Sequence, residues 1–154
     1  PMFISSQSQL AGVDDVFNGI MVRGDATGDV VFYGKGAGKL PTASAVVADM
    51  IDCIKHLKAR KYLYWADGTD DYVLPWEQSV TSMFIRAFAD NTEDALASAK
   101  NIFGAVTPLG RNNAADGEFA FITPEKTVGA ILADIDKLQS QGVKVVSKIR
   151  IGDL

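Results

Sequence analysis

The order of apolar and polar positions divides the chain into three stretches. Residues 17–34 predict a β-hairpin. Phe17–Arg23 and Val30–Tyr33 are β-rich apolar runs, and Gly24-Asp25-Ala26-Thr27-Gly28-Asp29 between them is a cluster of turn formers. A glycine-dense loop follows, Gly34-Lys35-Gly36-Ala37-Gly38-Lys39, closed by Pro41 and Thr42. Beyond it Val46, Val47, Met50, Ile51, Ile54 and Leu57 recur every three or four residues, the stripe of an amphipathic helix. Thr42 or Ser44 is the expected N-cap, since a side-chain oxygen there can accept a free backbone N–H. Lys55, Lys58, Arg60 and Lys61 gather at the far end, where cations complement the helix dipole.

Residues 60–79 change character. Tyr62, Tyr64, Trp65, Tyr72 and Trp76 are interleaved with Asp67, Asp70, Asp71 and Glu77. A linker that packs its aromatics on a neighbour is expected, because long structureless loops are uncommon in compact domains. Residues 80–154 then carry a complete βαββαβ pattern. Strands are expected at Ser82–Ala89, Ala105–Leu109, Glu118–Thr123 and Val143–Ile151. Helices are expected at Thr92–Phe103 and from after Pro124 to about Gln139. In the last strand Val145, Ile149 and Ile151 alternate with Lys144, Lys148 and Arg150. The predicted class is α+β: two helices covering one face of a four-stranded antiparallel sheet. Residues 1–58, a hairpin and one helix, bury too little apolar area to form a domain unaided. They look cut from something larger, or completed by another copy of the chain.

Composition narrows the class. The chain has 154 residues, 47% apolar and 22% charged, with a formal net charge of −4. This is an ordinary globular balance and excludes a disordered chain, a collagen and a disulfide scaffold. The mild acidity argues against nucleic acid or an anionic membrane as partner. No apolar run approaches the ~18 residues of a membrane span. One cysteine cannot form an internal disulfide, so a cytoplasmic setting is expected.

The motifs are mostly negative. The Walker pattern fails, because Leu40 follows Gly38-Lys39 and Tyr33 stands where the first glycine belongs. The Rossmann fingerprint fails at Lys39. What remains is a strand, a glycine turn and a helix N-terminus, which admits a ligand close to the backbone and favours an anion. A tight turn with no ligand fits equally well. His56 is the sole histidine and Cys53 the sole cysteine, so neither completes a metal site or a catalytic pair. His56 is expected in solvent near a helix C-terminus, and Cys53 as a small structural thiol. The βαββαβ order also fits an RNA-recognition motif, with Phe84 and Phe88 on an open sheet face. Asp116 before Gly117, and Glu118 before Phe119, break that pattern. Such a face is better suited to another protein surface.

Residues 1–55 carry a specific signal. The run Val16-Phe17-Asn18, the run Arg23-Gly24-Asp25-Ala26-Thr27-Gly28 and the string Phe32-Tyr33-Gly34-Lys35-Gly36-Ala37-Gly38 resemble the closing segment of homoserine dehydrogenase. Pro41-Thr42-Ala43-Ser44-Ala45-Val46-Val47-Ala48-Asp49 continues the resemblance. That family, an oxidoreductase of threonine and methionine biosynthesis, interconverts aspartate semialdehyde and homoserine with NADP or NAD. The resemblance implies a C-terminal fragment. Residues 1–59 would be the tail of the catalytic and dimerisation domain, 60–79 an aromatic linker and 80–154 an ACT-like (ferredoxin-like) regulatory domain. The family's catalytic lysine and substrate-binding acids lie upstream of the matched part, so no catalytic residue and no metal ligand is expected here. The fragment alone should be inactive and bind no cofactor. In the whole enzyme Gly38, and with it Gly36 and Thr42, would lie against the nicotinamide cofactor. An ACT-like domain implies allosteric feedback by a small amino acid, threonine, in a homo-oligomer such as a dimer. The effector loop would be Asp90, Asn91 and Thr92. The Pro-Gly pair usual there is absent, and Glu93 and Asp94 would repel a carboxylate or serve as first-turn helix acids. The alternative implied is a ligand-free ACT-like oligomerisation module.

Overall fold

A glycine-rich turn and a proline set the start of the first helix. In the computed structural model, which describes residues 1–59, 64–69 and 71–152, strand β1 is Met2–Phe3, β2 is Phe17–Gly24, β3 is Gly28–Lys35 and α1 is Lys39–Lys55. The helix therefore begins at Lys39 with Gly38 as its N-cap, and neither Thr42 nor Ser44 caps it. Pro41 lies in the first turn, where its missing N–H would have no intrahelical acceptor anyway. A proline read as punctuation is here part of the helix. A 3-10 turn at Trp76–Gln78 leads into β4 (Val80–Phe88), α2 (Thr92–Phe103), β5 (Thr107–Leu109), β6 (Glu118–Ile122), β7 (Lys126–Thr127), α3 (Val128–Ser140) and β8 (Lys144–Ile151).

The described residues divide into two units, one made of 1–4 with 69 and 71–152, the other of 5–59 with 64–68. In the first unit the strands lie in the order β1-β8-β4-β6-β5, and β7 pairs with β4. Neighbours among β8, β4, β6 and β5 are antiparallel, whereas β1 joins the β8 edge in parallel. This first strand belongs with the C-terminal sheet and not, as expected, with the hairpin. Met2 and Phe3 satisfy an otherwise open edge, and the Gly152 amide donates to the Phe3 carbonyl at 2.8 Å.

Helices α2 and α3 cover one face of this sheet. Met83, Ile85 and Ala87 from β4 meet Ala95, Ala99 and Phe103 from α2 and Ile131, Ile135 and Leu138 from α3. Phe121 lies at the centre, fully buried, with its ring centroid 5.4 Å from that of Phe103. Helix α3 starts four residues after Pro124, because Lys126–Thr127 first pair with β4 and Thr127 then caps the helix by accepting from the Ala130 amide. The alternation expected in β8 is broken by a bulge. Ala87 pairs with Val145 but Arg86 pairs with Ser147. One extra residue, Val146, moves Val145 to the helix side and Ile149 to the opposite face.

Asp134 is a buried carboxylate of helix α3. Asp134 receives Lys126 Nζ at 2.8 Å and Lys137 Nζ at 2.9 Å, one on each oxygen. Burial pulls its pKa up, but the hydrogen bonds from the two lysines outweigh this and hold the carboxyl below its ordinary value. A group whose folded pKa is depressed contributes stability above its unfolded pKa and loses it as pH falls through the folded one. The melting temperature should therefore begin to fall below about pH 4. Asp134→Asn should flatten that acid limb in a calorimetric pH series.

The second unit buries little. Strands β2 and β3 form a hairpin closed by Gly24 opposite Gly28. The turn is tighter than the six-residue cluster in the sequence suggests. Ile20 opposite Phe32 and Val22 opposite Val30 make an exposed apolar face. No residue of α1 is buried, and its stripe of Val46, Val47, Met50, Ile51 and Ile54 is exposed. Cys53 is exposed too, so it is no core thiol. His56 caps α1 and faces solvent, with Nδ1 3.0 Å from the Asp52 carbonyl oxygen. Tyr64, Trp65 and Tyr72 are exposed, and Trp76 alone of the described linker aromatics meets a cation, the Arg150 guanidinium 5.8 Å from its ring. Tyr62, Arg60, Lys61 and Asp70 lie outside the described residues. Among the described residues no helix is long and apolar enough to cross a membrane.

Candidate functional site

Three places combine backbone or charged groups in a way that suits a ligand. The first is the turn between β3 and α1. Gly38 has φ of +116°, a conformation that side chains rarely adopt. A Cβ on Gly36 would collide with the Asn18 side-chain amide. Thr42 is exposed, and its amide donates to the Gly38 carbonyl at 3.2 Å, so it makes the first helical hydrogen bond. That leaves the Lys39 and Leu40 amides ahead of the first intrahelical bond, with Lys35 and Lys39 flanking the turn. The turn suits a close backbone approach by an anionic group. What it offers is backbone amides between two lysines.

The second place is the loop between β4 and α2. Asp90 and Asn91 are exposed and Thr92 is half-buried. The Asn91 side-chain oxygen accepts from the Glu93 amide at 3.0 Å and the Asp94 amide at 3.3 Å. Its Nδ2 donates to Asp94 at 2.7 Å. The amides that would receive a carboxylate are thus already taken by the chain's own cap. Glu93 and Asp94 add two negative charges in the first turn of the helix, as first-turn acids. Asn91→Ala should destabilise the unit by about 1 kcal/mol, read as a lower denaturation midpoint, and would open those amides to an added carboxylate.

The third place was not singled out from the sequence. Phe84, Arg86 and Phe88 lie on the sheet face opposite the helices. There Glu118, with 5% of its side chain exposed, joins two arginines. Arg86 Nε donates to Oε1 at 2.8 Å. Arg111 donates from Nε to Oε1 at 3.0 Å and from Nη2 to Oε2 at 2.7 Å, and the Ala115 amide adds a fourth bond at 3.2 Å. The hydrogen bonds from Arg111 first, then Arg86, hold the Glu118 carboxyl far below the usual carboxylate range. The one sequence signal was Glu118 itself, an acid at the start of an apolar strand. Among the described residues no group of three or more His, Cys, Asp or Glu stands close enough to hold a metal.

The fold is that of an α+β protein with a helix-backed sheet, joined in sequence to a hairpin and a long helix whose apolar faces are uncovered. Residues 1–51 match the family model of homoserine dehydrogenase. The homoserine dehydrogenase of Pseudomonas aeruginosa is 34% identical over 109 residues, which are 66% of this chain and 25% of that protein. The one from Helicobacter pylori is 28% identical over 91% of this chain and 35% of its own length. Among solved structures, a homoserine dehydrogenase from Thiobacillus denitrificans superposes with a TM-score of 0.76 at 28% identity, over 99% of this chain and 38% of that one. A homoserine dehydrogenase from S. aureus gives 0.66 at 25% identity, over 100% and 36%. The chain thus spans between about a quarter and two fifths of the length of these four relatives.

Proposed function

We propose that this chain is the C-terminal part of a homoserine dehydrogenase, an oxidoreductase that interconverts aspartate semialdehyde and homoserine with NADP or NAD in the cytoplasm. The observation that carries this reading is the family match over residues 1–51 in a chain that spans only part of its relatives. The exposed apolar faces of the hairpin and of α1 support it, since such faces suit a partner surface. In the whole enzyme the cofactor supplies the hydride. Gly36, Gly38 and Thr42 would line it, at a turn whose glycines let a ligand come close to the backbone. The chain alone spans only part of the enzymes it matches and is expected to be inactive.

Residues 80–154 are read as an ACT-like domain. The sheet order β8-β4-β6-β5, with both helices on one face, supports this. Such a domain could report an amino acid, threonine, by binding it with different affinity in two states of a dimer. The Asn91 cap favours the second reading, a ligand-free module that holds subunits together. Calorimetric titration with L-threonine, against L-serine, L-methionine and L-lysine, separates the two. No selective heat is expected. Saturable heat with threonine alone would make the domain a feedback sensor.

A further inference from the structure

The cluster of Arg86, Glu118 and Arg111 borders an open groove of about 480 Å³ whose other walls are apolar. Phe84 and Ala120 form its floor on the sheet, Leu109 stands at the edge strand, and the chain from Gly110 to Ala114 closes one side. The volume lies within the range of small-molecule sites. We propose that this groove binds a small monocarboxylate with a compact apolar body, whose carboxylate pairs with the outer edge of the Arg86 guanidinium.

The charge balance selects the head group. Two guanidinium groups face one carboxylate, which leaves one positive charge in a chain whose net charge is −4. Glu118 is saturated, because both its oxygens accept from the protein. Arg111 is engaged side-on through two nitrogens. Arg86 is not engaged in this way. Among the described residues it donates to the protein through Nε alone, so its two terminal amino groups, a planar fork matched to a carboxylate, have no protein acceptor. The group is held in place on both sides, by Glu118 and by the Phe88 ring 5.5 Å from its Cζ. A preset donor loses little freedom when an anion arrives. A cationic ligand would meet the surplus positive charge, and a dianion would carry one charge more than the site balances.

The apolar walls select the body. Phe84 and Leu109 are partly exposed on a face that no helix covers, so a hydrocarbon or aromatic body gains burial there. The site is separate from the β4–α2 loop and does not depend on the enzyme reading. All its residues come from one unit of the fold.

Equilibrium dialysis of the full chain with radiolabelled hexanoate tests this, with hexanol and hexylammonium as competitors. Saturable binding is expected that neither competitor displaces at equal concentration, and that added salt weakens. Arg86→Gln should weaken it by ~tenfold or more, as expected for loss of a charged hydrogen-bonded pair. Leu109→Glu, at an exposed edge position, should weaken it as well while leaving the arginines in place. No binding, equal displacement by hexanol, or unchanged binding in Arg86→Gln with its fold intact by circular dichroism would overturn the proposal and leave the cluster a structural clasp between β4, β6 and the β5–β6 loop.

Discussion

Phe121→Ala is expected to destabilise the sheet unit by about 3–5 kcal/mol, the usual cost of emptying a buried phenylalanine site. Phe121 is fully buried on the interior strand β6, opposite Ile85 of β4. Its ring touches Phe103 of α2 edge-on and stacks near Phe119 at 6.1 Å. Removing it takes away the surface on which α2 rests, and the neighbouring strands are fixed by ladder hydrogen bonds and cannot collapse into the space. Domain stabilities run at about 5–15 kcal/mol, so the loss is a large fraction of the whole. The unfolding temperature should fall by about 12 °C or more in differential scanning calorimetry. Phe32→Ala, in the hairpin, should change it little, because Phe32 is 62% exposed. A similar drop in both variants would mean that the hairpin face is covered and that the two units share one core.

Gly117→Ala is expected to disturb the β4–α2 loop more than any exposed substitution in it. Gly117 has φ of +75°, and a left-handed residue with a side chain costs ~1–2 kcal/mol. A Cβ there would also stand 2.7 Å from the Ala89 carbonyl oxygen, closer than real contacts allow. The Ala89 amide donates to the Gly117 carbonyl at 3.0 Å, so the two segments meet backbone to backbone. The end of β4 must move, and Asp90, Asn91 and Thr92 move with it. Destabilisation of about 2 kcal/mol or more is expected, with faster amide exchange across residues 88–94. Gly142→Ala isolates the backbone strain from the clash. Gly142 is left-handed at φ of +90°, but nothing lies within 4 Å of its Cβ position. It should cost only ~1 kcal/mol and leave the loop unchanged.

The parts of this fold that local signals govern were legible in the sequence. Helix α2 runs from Thr92 to Phe103 as expected, because Asn91 caps it and Gly104, at φ of +92°, ends it. The hairpin pairing follows from the glycines at its turn. Features that depend on contacts distant in sequence were not legible. Met2 and Phe3 find the edge of β8 nearly 150 residues away, and nothing in two residues announces that. The bulge at Val146 hides in a run whose alternation looks regular, since a one-residue insertion leaves the composition untouched. At the candidate sites the same division holds. The glycines at 36 and 38 were visible as a turn, while Pro41 disguised where the helix begins. The clasp of Arg86, Arg111 and Glu118 draws on three elements, and only the register of β4 against β6 brings it together.

The family reading is tested most directly by joining this chain to the part of a relative that it does not match. The matching segment of the Pseudomonas aeruginosa homoserine dehydrogenase would be replaced by this chain, and the chimera assayed for homoserine oxidation with NAD and with NADP. The chain by itself would be assayed beside it. The account predicts turnover by the chimera, none by the chain alone, and loss of turnover in the chimera on Gly38→Val. A folded chimera with no activity, or turnover by the chain alone, would contradict it.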